Sequence, residues 1–235
     1  MSNFTTWRSL VDGEEIAGIP DSAVSQYRID EGSDSTLNNE FDGQPDGTIY
    51  GASWIEDTDL TGGWGLDFGG EDYVDIDSQF DFIDDEAELT FCVTIDVDSL
   101  NADDRWWHHT DGSTYAIGVG IDQDGDGVSA RFNDDRGDIQ GDIGTTDISA
   151  GRVRVGVWLD VQNFDAQFAI NGDLKDKESL EGRATENGAE NTFGDLRGDD
   201  SGDFNFEGIL DNPIWYDKKL SESEFEDDYN AQPWS

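Results

Sequence analysis

Cysteine, lysine, arginine and long apolar runs are scarce in this sequence, and each scarcity excludes a class of structure or partner. Cys92 is the only cysteine among 235 residues, so no disulfide can form within the chain. No stretch approaches the run of about 18 apolar residues that a membrane-spanning helix requires. Only 13 residues are Lys or Arg, and they form no basic run. This shortage of phosphate-binding groups argues against nucleic acid and anionic membranes as partners.

Acidic residues, in contrast, are abundant: 56 Asp and Glu give a formal net charge of −43. At ordinary salt concentrations such a surface repels itself and opposes compaction. In about 1 M salt the screening length falls to about 3 Å, and most of this repulsion disappears. The composition therefore predicts a halophilic protein that folds in near-saturated salt. The 13 Phe, 8 Trp and 6 Tyr supply the packing units of a core, which a disordered acidic chain lacks.

The first 25 residues show little apolar alternation, and we interpret them as a leader or docking segment ahead of one domain at 26–235. Residues 1–10 lack the basic and apolar regions of a secretory signal and carry no twin-arginine pair. We therefore expect a protein that is made in the cytoplasm and reaches an extracellular assembly without its own signal. Assembly into a virus particle inside the cell would allow this.

Alternating apolar positions, which are typical of half-buried β-strands, dominate the rest of the chain. Three stripes are predicted to face a common core: Leu89, Phe91, Val93, Ile95 and Val97; Tyr115, Ile117, Val119 and Ile121; and Val153, Val155, Val157, Leu159 and Val161. The pair Asn171-Gly172 predicts a tight hairpin turn. Short strands between turns rich in Gly and Asp indicate an all-β sandwich of two antiparallel sheets.

One helix is predicted, close to the C-terminus. Ser221 and Glu224 form an S-x-x-E capping box ahead of Phe225 and Tyr229. The stretch 175–202 is polar and rich in glycine, so we predict long loops there rather than a second domain.

Four segments, in order, resemble the LamG-like family of concanavalin A-like jelly rolls. Residues 26–54 resemble its opening strand, turn and G-T-L-x-G-A-x-W segment, and residues 65–76 (GLDFGGEDYVDI) resemble its D-Y-V-x-I signature. Residues 167–172 (QFAING) resemble its L-Y-V-N-G hairpin, and residues 208–229 resemble its closing strand and helix. The resemblance implies two antiparallel sheets in a jelly roll, often with bound Ca²⁺, in a module that recognises glycans or proteins.

Pro213 departs from this family's pattern, which has a residue there that can donate a backbone hydrogen bond to the sheet. Because proline fits only at an edge or a bulge, we expect one of these at this position. The first 25 residues also resemble leader segments on surface or tail proteins of viruses of halophilic archaea.

A calcium loop is the first candidate metal site. Asp122, Asp124 and Asp126 match the D-x-D-x-D-G start of such a loop, in which alternate carboxylates converge on one hard cation. The closing position of an EF-hand falls on Asn133 rather than Glu, and the flanking segments are predicted strands, so an EF-hand is excluded. Two interpretations stay open: a structural Ca²⁺ in a hairpin loop, or an acidic turn without metal.

The family resemblance implies a second candidate metal site. Asp211 occupies the family's I-D position, where the acidic residue often helps to hold a structural ion or caps the closing strand. Asp67 and Glu31 lie in the other motifs that meet at that end of the sandwich. The alternative is that these carboxylates accept hydrogen bonds from loop amides without metal.

Residues 105–109, RWWHH, are the candidate ligand-binding run. Strict strand alternation would place Trp106 and His108 on one face and Trp107 on the other, so that one indole leaves the core. Trp158 likewise lies opposite a valine stripe. Because exposed indoles suit stacking on a sugar or packing on a partner, we predict that these four residues bind ligand. The alternative is that they pack beneath loops.

Motifs of known enzymes are absent. A glycosidase on this fold would need two acids on one buried strand face, and no G-x-S-x-G, H-E-x-x-H or phosphate-loop motif occurs. We therefore predict a non-catalytic, lectin-like module on an extracellular assembly, in particular a virion surface, turret or tail protein that recognises host glycan or surface protein. The alternatives are a purely structural, oligomeric shell or spike component, and a glycoside hydrolase.

Overall fold

The computed structural model describes residues 10–11, 14–15, 22–76, 88–101, 104–110, 115–121, 125, 127–133, 139–160, 163, 165–179, 190–194 and 206–234. The strands are β1 Leu10–Val11, β2 Glu14–Glu15, β3 Ala23–Gln26, β4 Thr36–Leu37, β5 Gly47–Tyr50, β6 Ser53–Glu56, β7 Trp64–Gly69, β8 Tyr73–Asp75, β9 Glu88–Val97, β10 Arg105–Thr110, β11 Tyr115–Ile121, β12 Gly127–Asn133, β13 Ile139–Asp147, β14 Gly151–Asp160, β15 Asp165–Ile170, β16 Asp173–Ser179, β17 Glu190–Gly194 and β18 Glu207–Tyr216. A 3₁₀ turn spans Thr61–Gly63, and the helix α1 spans Glu222–Asn230. Across these residues, no helix is long and apolar enough to cross a membrane.

Two large antiparallel sheets form the body of the protein. Sheet I has the strand order β13-β12-β11-β10-β17-β8-β5-β4, and sheet II has the order β16-β15-β14-β9-β18-β7-β6. Strand β3 pairs with the C-terminal half of β18, while β1 and β2 pair with each other. The predicted all-β, two-sheet jelly roll with a short C-terminal helix is confirmed.

The main hydrophobic core lies between the inner faces of the two sheets. Sheet I contributes a register-aligned row that crosses five strands and consists of Ile49, Val74, Phe193, Trp107 and Val119. Sheet II contributes the predicted stripes of β9 and β14, whose described members are all buried. Removal of this much aliphatic and aromatic surface from water is the main force that holds the sheets together.

Two local predictions from the sequence are confirmed. Asn171 and Gly172 both have positive φ, 50° and 79°, as a two-residue hairpin turn between β15 and β16 requires. The pairing of β18 with β9 shifts register between Asp211 and Ile214, so Pro213 lies in a bulge, where its missing amide leaves no gap in the ladder.

The prediction of long loops over 175–202 is wrong for two of its segments. Residues 173–179 form β16, an edge strand of sheet II, and residues 190–194 form β17, which lies between β10 and β8 in sheet I. An edge strand such as β16 is largely exposed to solvent, so it needs no alternation of apolar residues. In the sequence of β17, ENTFG, Phe193 is the one large apolar residue, so the sequence shows too little apolar periodicity to mark a strand.

Helix α1 covers the outer face of sheet II. Its predicted capping box is present: the Ser221 hydroxyl accepts from the Glu224 amide, and the Glu224 carboxylate accepts from the Ser221 amide. Gly156 of β14 allows the ring of Phe225 to pack directly on the sheet, because a Cβ at that glycine would lie 2.6 Å from the ring. Sheet II is therefore buried on both faces around β14, β9 and β18.

Candidate functional site

The two adjacent indoles of β10 are buried, so the predicted exposure of one of them is wrong. Trp106 and Trp107 are both 0% exposed and belong to the main core. The reason is a bulge: Arg105 pairs with Gly120 and Trp107 pairs with Val119, so two steps on β10 match one on β11. This extra residue breaks strict alternation, and both rings can turn away from solvent. Their predicted contact with a ligand gains no support from this structure.

Trp158 does lie opposite the valine stripe, as predicted, but it is only 4% exposed. It packs in a second cluster with Leu220 and Phe225, which come from α1 and the segment before it. The ammonium of Lys219 lies over the ring, 3.7 Å from its centroid. The cover of this indole is therefore part of the same chain, and the predicted exposure is wrong here too.

His108, the fourth predicted ligand-binding residue, is fully buried on the outer face of sheet I. It lies in register with Gly118 of β11 and Thr192 of β17. On the same face, the Arg105 guanidinium donates to the carbonyl of Ile121 and to the Ser129 hydroxyl. These polar side chains are bound within the protein, and the structure gives no support to a ligand-binding role for His108.

The three candidate metal residues implied by the family resemblance do not form a metal site. Glu31 accepts from the amide and side chain of Asn38, at 2.6 and 2.8 Å, and Asp67 is exposed on β7. Within the described part of the chain, no three His, Cys, Asp or Glu side chains are placed to hold a metal ion. The expected grouping of Asp211, Asp67 and Glu31 is therefore wrong. Asp122, Asp124 and Asp126 lie outside the described residues, and calcium binding there stays a prediction.

Asp211 instead joins β18 to the 3₁₀ turn at Thr61–Gly63. Its Oδ2 accepts from the Thr61 amide at 2.9 Å, and the carboxyl is completely enclosed. Burial is the main cause that raises the pKa of Asp211 to about 7, against the opposing effect of the Thr61 hydrogen bonds. This agrees with the alternative that the family-type Asp accepts a hydrogen bond from a loop amide.

A stacked tyrosine pair, which the sequence reasoning did not single out, lies on the outer face of sheet I, with Tyr50 exposed and Tyr73 half-buried. Tyr50 of β5 and Tyr73 of β8 pair in register, and their rings stack with centroids 4.6 Å apart and an interplanar angle of 18°. Tyr50 is 44% exposed and is the one exposed large hydrophobic side chain among the described residues. The inward positions of Ile49 and Val74 are the reason that both tyrosines point outward.

Polar groups continue along the same face beside this pair. Thr48 and Asp75 lie two residues from Tyr50 and Tyr73 and pair with each other in register. On the other side of β8, the position opposite Tyr73 is Gly194, which contributes no side chain. An aromatic surface with hydroxyl and carboxylate groups one strand step away is suited to a ligand with apolar faces and hydroxyl edges.

The alternation around Ile49 and Val74 was a sequence signal for outward tyrosines, but it could not show that the two strands are neighbours. Strands β5 and β8 are adjacent in the sheet although more than twenty residues of chain, including β6 and β7 of the other sheet, separate them. The pair therefore became visible only with the topology.

Comparison with known proteins agrees with this architecture. The family model described as the concanavalin A-like lectin/glucanases superfamily matches residues 68–225, more than half of the chain. No curated protein matches the sequence significantly.

Several solved structures share the fold at low identity. A Trypanosoma rangeli sialidase mutant that displays trans-sialidase activity aligns with a TM-score of 0.68 and 13% identity, over 94% of this chain and 34% of its own. Domain 4 of AbnA, an extracellular arabinanase from Geobacillus stearothermophilus, in complex with arabinotriose, aligns with a TM-score of 0.66 and 15% identity, over 88% of this chain and 97% of its own. The binding domain of botulinum neurotoxin serotype D/C aligns with a TM-score of 0.64 and 12% identity, over 90% and 52%.

The chain thus spans about a third of the length of the sialidase chains that it matches. At these identities the structural likeness shows the fold alone. The family match over residues 68–225 goes further: this chain belongs to the concanavalin A-like lectin/glucanases superfamily.

Proposed function

We propose that this protein is a non-catalytic carbohydrate-binding module whose ligand stacks on the Tyr50–Tyr73 pair. The observation that carries the proposal is the exposed ring of Tyr50, which stacks on the half-buried Tyr73 on a surface otherwise dominated by carboxylates. An aromatic ring covers the apolar face of a sugar, and Thr48 and Asp75 can exchange hydrogen bonds with its hydroxyls. Domain 4 of AbnA, which has the same fold, was solved with arabinotriose, and this supports a saccharide as the ligand class.

The charge around the pair favours an uncharged sugar. Glu71, Asp72 and Asp75 flank Tyr73 along the chain, and the whole protein carries a net charge of −43. A sugar carboxylate would meet repulsion at this face, whereas hydroxyls can donate to the carboxylates. One matched structure is a Trypanosoma rangeli sialidase in complex with sialic acid, and this chain covers 34% of that sialidase. We propose that this chain binds neutral saccharides instead.

The absence of catalysis is the second part of the proposal. A glycosidase needs an acid whose pKa is raised toward neutrality and which lies in reach of the sugar. In the described part of the chain, Asp211 has a pKa of about 7, but it is 0% exposed and already accepts from Thr61. A substrate cannot reach it, so this carboxyl supports structure rather than hydrolysis.

The acidic composition supports a setting in near-saturated salt. There we propose display on an extracellular assembly, such as the surface, turret or tail of a virion, with host glycan or surface protein as the target. The structural alternative, a shell or spike subunit without a ligand, predicts that no saccharide binds.

A glycan array in molar KCl tests the binding proposal. We expect binding to neutral oligosaccharides, no binding to sialylated ones, and at least about a tenfold loss of affinity in Tyr50→Ala, because one stacking contact is removed. Tyr229→Ala is the matched control, since this partly exposed tyrosine of α1 packs against Trp234 instead. Both variants should keep the far-ultraviolet circular dichroism of the parent.

Three results would count against the proposal. Binding that survives in Tyr50→Ala would show that the site lies elsewhere. Preferential binding of sialylated glycans would refute neutral saccharides as the ligand class. Release of reducing ends from any bound polysaccharide would show that the protein is an enzyme.

A further inference from the structure

The four lysines of the chain fall into two pairs, and one member of each pair lies at Trp158 on the outer side of sheet II. Lys175 and Lys177 lie on the edge strand β16, and Lys218 and Lys219 lie between β18 and α1. The fold brings the two pairs together at Trp158: the Lys219 ammonium is 3.7 Å and the Lys177 ammonium 5.9 Å from the centroid of its ring. We call these four residues the lysine patch.

The arginine side chains that the structure describes are less exposed than three of these lysines, and Arg28, at 24%, is the most exposed of them. Arg105 and Arg154 are buried, with 1% and 2% exposure. Arg152 is held by Asp57 and Asp96 at 2.7 and 2.8 Å, and its side chain is 17% exposed. The side chains of Lys175, Lys177 and Lys218, in contrast, are 33%, 45% and 44% exposed. The patch is therefore the main exposed positive charge on the described surface.

Edge protection alone does not explain the patch. Lysines on an edge strand prevent pairing with another sheet, which accounts for Lys175 and Lys177. Lys218 and Lys219 lie on no strand, yet Lys219 is held close to Lys177. Burial, followed by the charge of Lys177, lowers the pKa of Lys219, while the charges of Glu88 and Asp165 oppose this shift.

We propose that the lysine patch is the contact surface for a second copy of this chain, which presents carboxylates to Lys177 and Lys219. Molar salt screens the repulsion between two copies of charge −43 beyond about 3 Å, but carboxylates that meet within a contact still repel each other. A contact is therefore favoured where cations of one copy meet the acidic surface of the other. The patch is where the described surface supplies those cations.

The lysine ammonium groups retain hydrogen-bond donors for such a contact. Lys175, Lys177 and Lys218 pair with Asp173, Asp165 and Glu224 of their own chain. An ammonium has three donors, so each pair leaves capacity for a further carboxylate. Lys219 forms no ion pair with a described residue, and its ammonium lies over the indole. A carboxylate that bridges Lys177 and Lys219 would offset their mutual repulsion.

Where the acidic surface lies apart from the patch on the same copy, the contact is heterologous, that is, head to tail. Such contacts form closed rings or open chains, depending on the rotation between copies. This geometry is compatible with a module that is displayed in many copies on an assembly, but the proposal does not depend on sugar binding.

Zero-length carbodiimide cross-linking tests the proposal directly, because it joins only a carboxylate to an amine in contact. The lysine patch contains every side-chain amine of the protein. A mixture of ¹⁴N- and ¹⁵N-labelled full-length protein in KCl should therefore yield mixed-isotope peptide pairs at Lys177 or Lys219. Light scattering of the same sample should give a mass above that of one chain.

Variants locate the contact. The double variant Lys177→Gln, Lys219→Gln should remove the mixed-isotope pairs. Each exposed ion pair contributes modestly, so the loss of two should weaken association by about tenfold. Arg28→Gln is the control: it removes a partly exposed cation, 24% exposed and near Asp30, that lies outside the patch. Association should be unchanged in this control, and both proteins should keep the circular dichroism of the parent.

A single-chain mass for the parent at all soluble concentrations, or unchanged association in the double lysine variant, would overturn the proposal. Binding of polygalacturonate by a single-chain parent, lost in the same variant, would assign the patch to an acidic polysaccharide instead. Because Tyr50 and Tyr73 lie on sheet I, loss of neutral-sugar binding in Tyr50→Ala should leave the mass unchanged, and this separates the two proposals.

Discussion

Arg154 of β14 and Asp228 of α1 form a two-pronged ion pair that joins the C-terminal helix to the outer face of sheet II. Nε donates to Oδ2 at 2.8 Å and Nη2 donates to Oδ1 at 2.9 Å, with both side chains 2% exposed. The Tyr216 hydroxyl adds a hydrogen bond to Oδ1 at 2.9 Å, and Nη1 of Arg154 donates to the Asn212 carbonyl. Burial and the Asp228 charge raise the pKa of Tyr216, so its hydroxyl keeps the donated proton.

Asp228→Asn should destabilise the protein strongly, because it leaves the Arg154 guanidinium buried without a counter-charge. Removal of one partner from a buried ion pair typically costs about 3–5 kcal/mol. Urea unfolding at constant KCl, followed by circular dichroism, measures the change. In the control Lys218→Gln, which breaks the exposed pair with Glu224, the free energy of unfolding should change by less than about 1 kcal/mol. Equal losses in the two variants would refute the structural role of the buried pair.

The sequence predicted the elements whose signals are local. The stripe from Leu89 to Val97 shows a strand of period two, and Ser221 with Glu224 shows a helix start, because both patterns are complete within a few residues. Pro213 predicted an edge or a bulge for the same reason, and the structure has a bulge there.

Features that depend on distant segments could not be predicted. The bulge at Trp106 is a mismatch between two strands, and the cover of Trp158 comes from a helix more than sixty residues away. The Tyr50–Tyr73 pair likewise requires knowledge of which strands are neighbours. Alternation predicts which residues share a face of a strand, but it does not show what lies opposite that face.

Asp211 should make stability depend on pH with a sign opposite to that of a typical aspartate. Its pKa is raised from 3.8 to about 7, so the folded state binds the proton more tightly than the unfolded chain does. Its contribution to stability is complete below about pH 4 and is lost as the pH rises toward 7. Asp211→Asn keeps an acceptor for the Thr61 amide and removes this loss. The variant should match the parent near pH 4 and exceed its free energy of unfolding by roughly 4 kcal/mol at pH 8.

Asp57→Asn provides the control of opposite sign. The Asp59 amide and the Arg152 guanidinium lower the pKa of Asp57, so this carboxylate stabilises the fold above pH 4, and the effect is lost as the pH falls. The variant should therefore be less stable than the parent at pH 7, with the difference shrinking in acid. A parallel pH dependence of Asp211→Asn and the parent from pH 4 to pH 8 would refute the assignment for Asp211.

Trp107→Ala should lower stability rather than abolish binding directly. Its ring is fully buried against Phe91 and Trp215, with centroids 4.9 and 5.9 Å apart. Truncation of a buried Trp to Ala costs about 3–5 kcal/mol through lost contacts and the cavity that remains. Thermal unfolding in molar KCl measures this, and Tyr50→Ala should show almost no shift in Tm. A Trp107→Ala protein with unchanged Tm and lost sugar affinity would restore the original prediction of a binding indole.

Stability should rise steeply with salt, because salt screens the repulsion between like charges on the surface. Partial desolvation, followed by the charges of Asp72 and Asp98, raises the pKa of the mostly exposed Asp67, and burial with the charge of Asp30 raises the pKa of Glu40. Each such carboxylate opposes folding at neutral pH, where it is ionised. At about 0.1 M salt the screening length is about 10 Å, and at 1 M it is about 3 Å, so most of the repulsion should vanish over this interval.

We therefore expect Tm to increase most strongly with KCl up to about 1 M and more gradually above it, as salts excluded from the surface continue to favour apolar burial. Circular dichroism melts across a KCl series test this. Sucrose, which favours burial without screening charge, is the control and should raise Tm far less at low salt. An equal rise with sucrose, or a melting point that does not change between 0.1 and 1 M KCl, would show that carboxylate repulsion does not limit the stability of this fold.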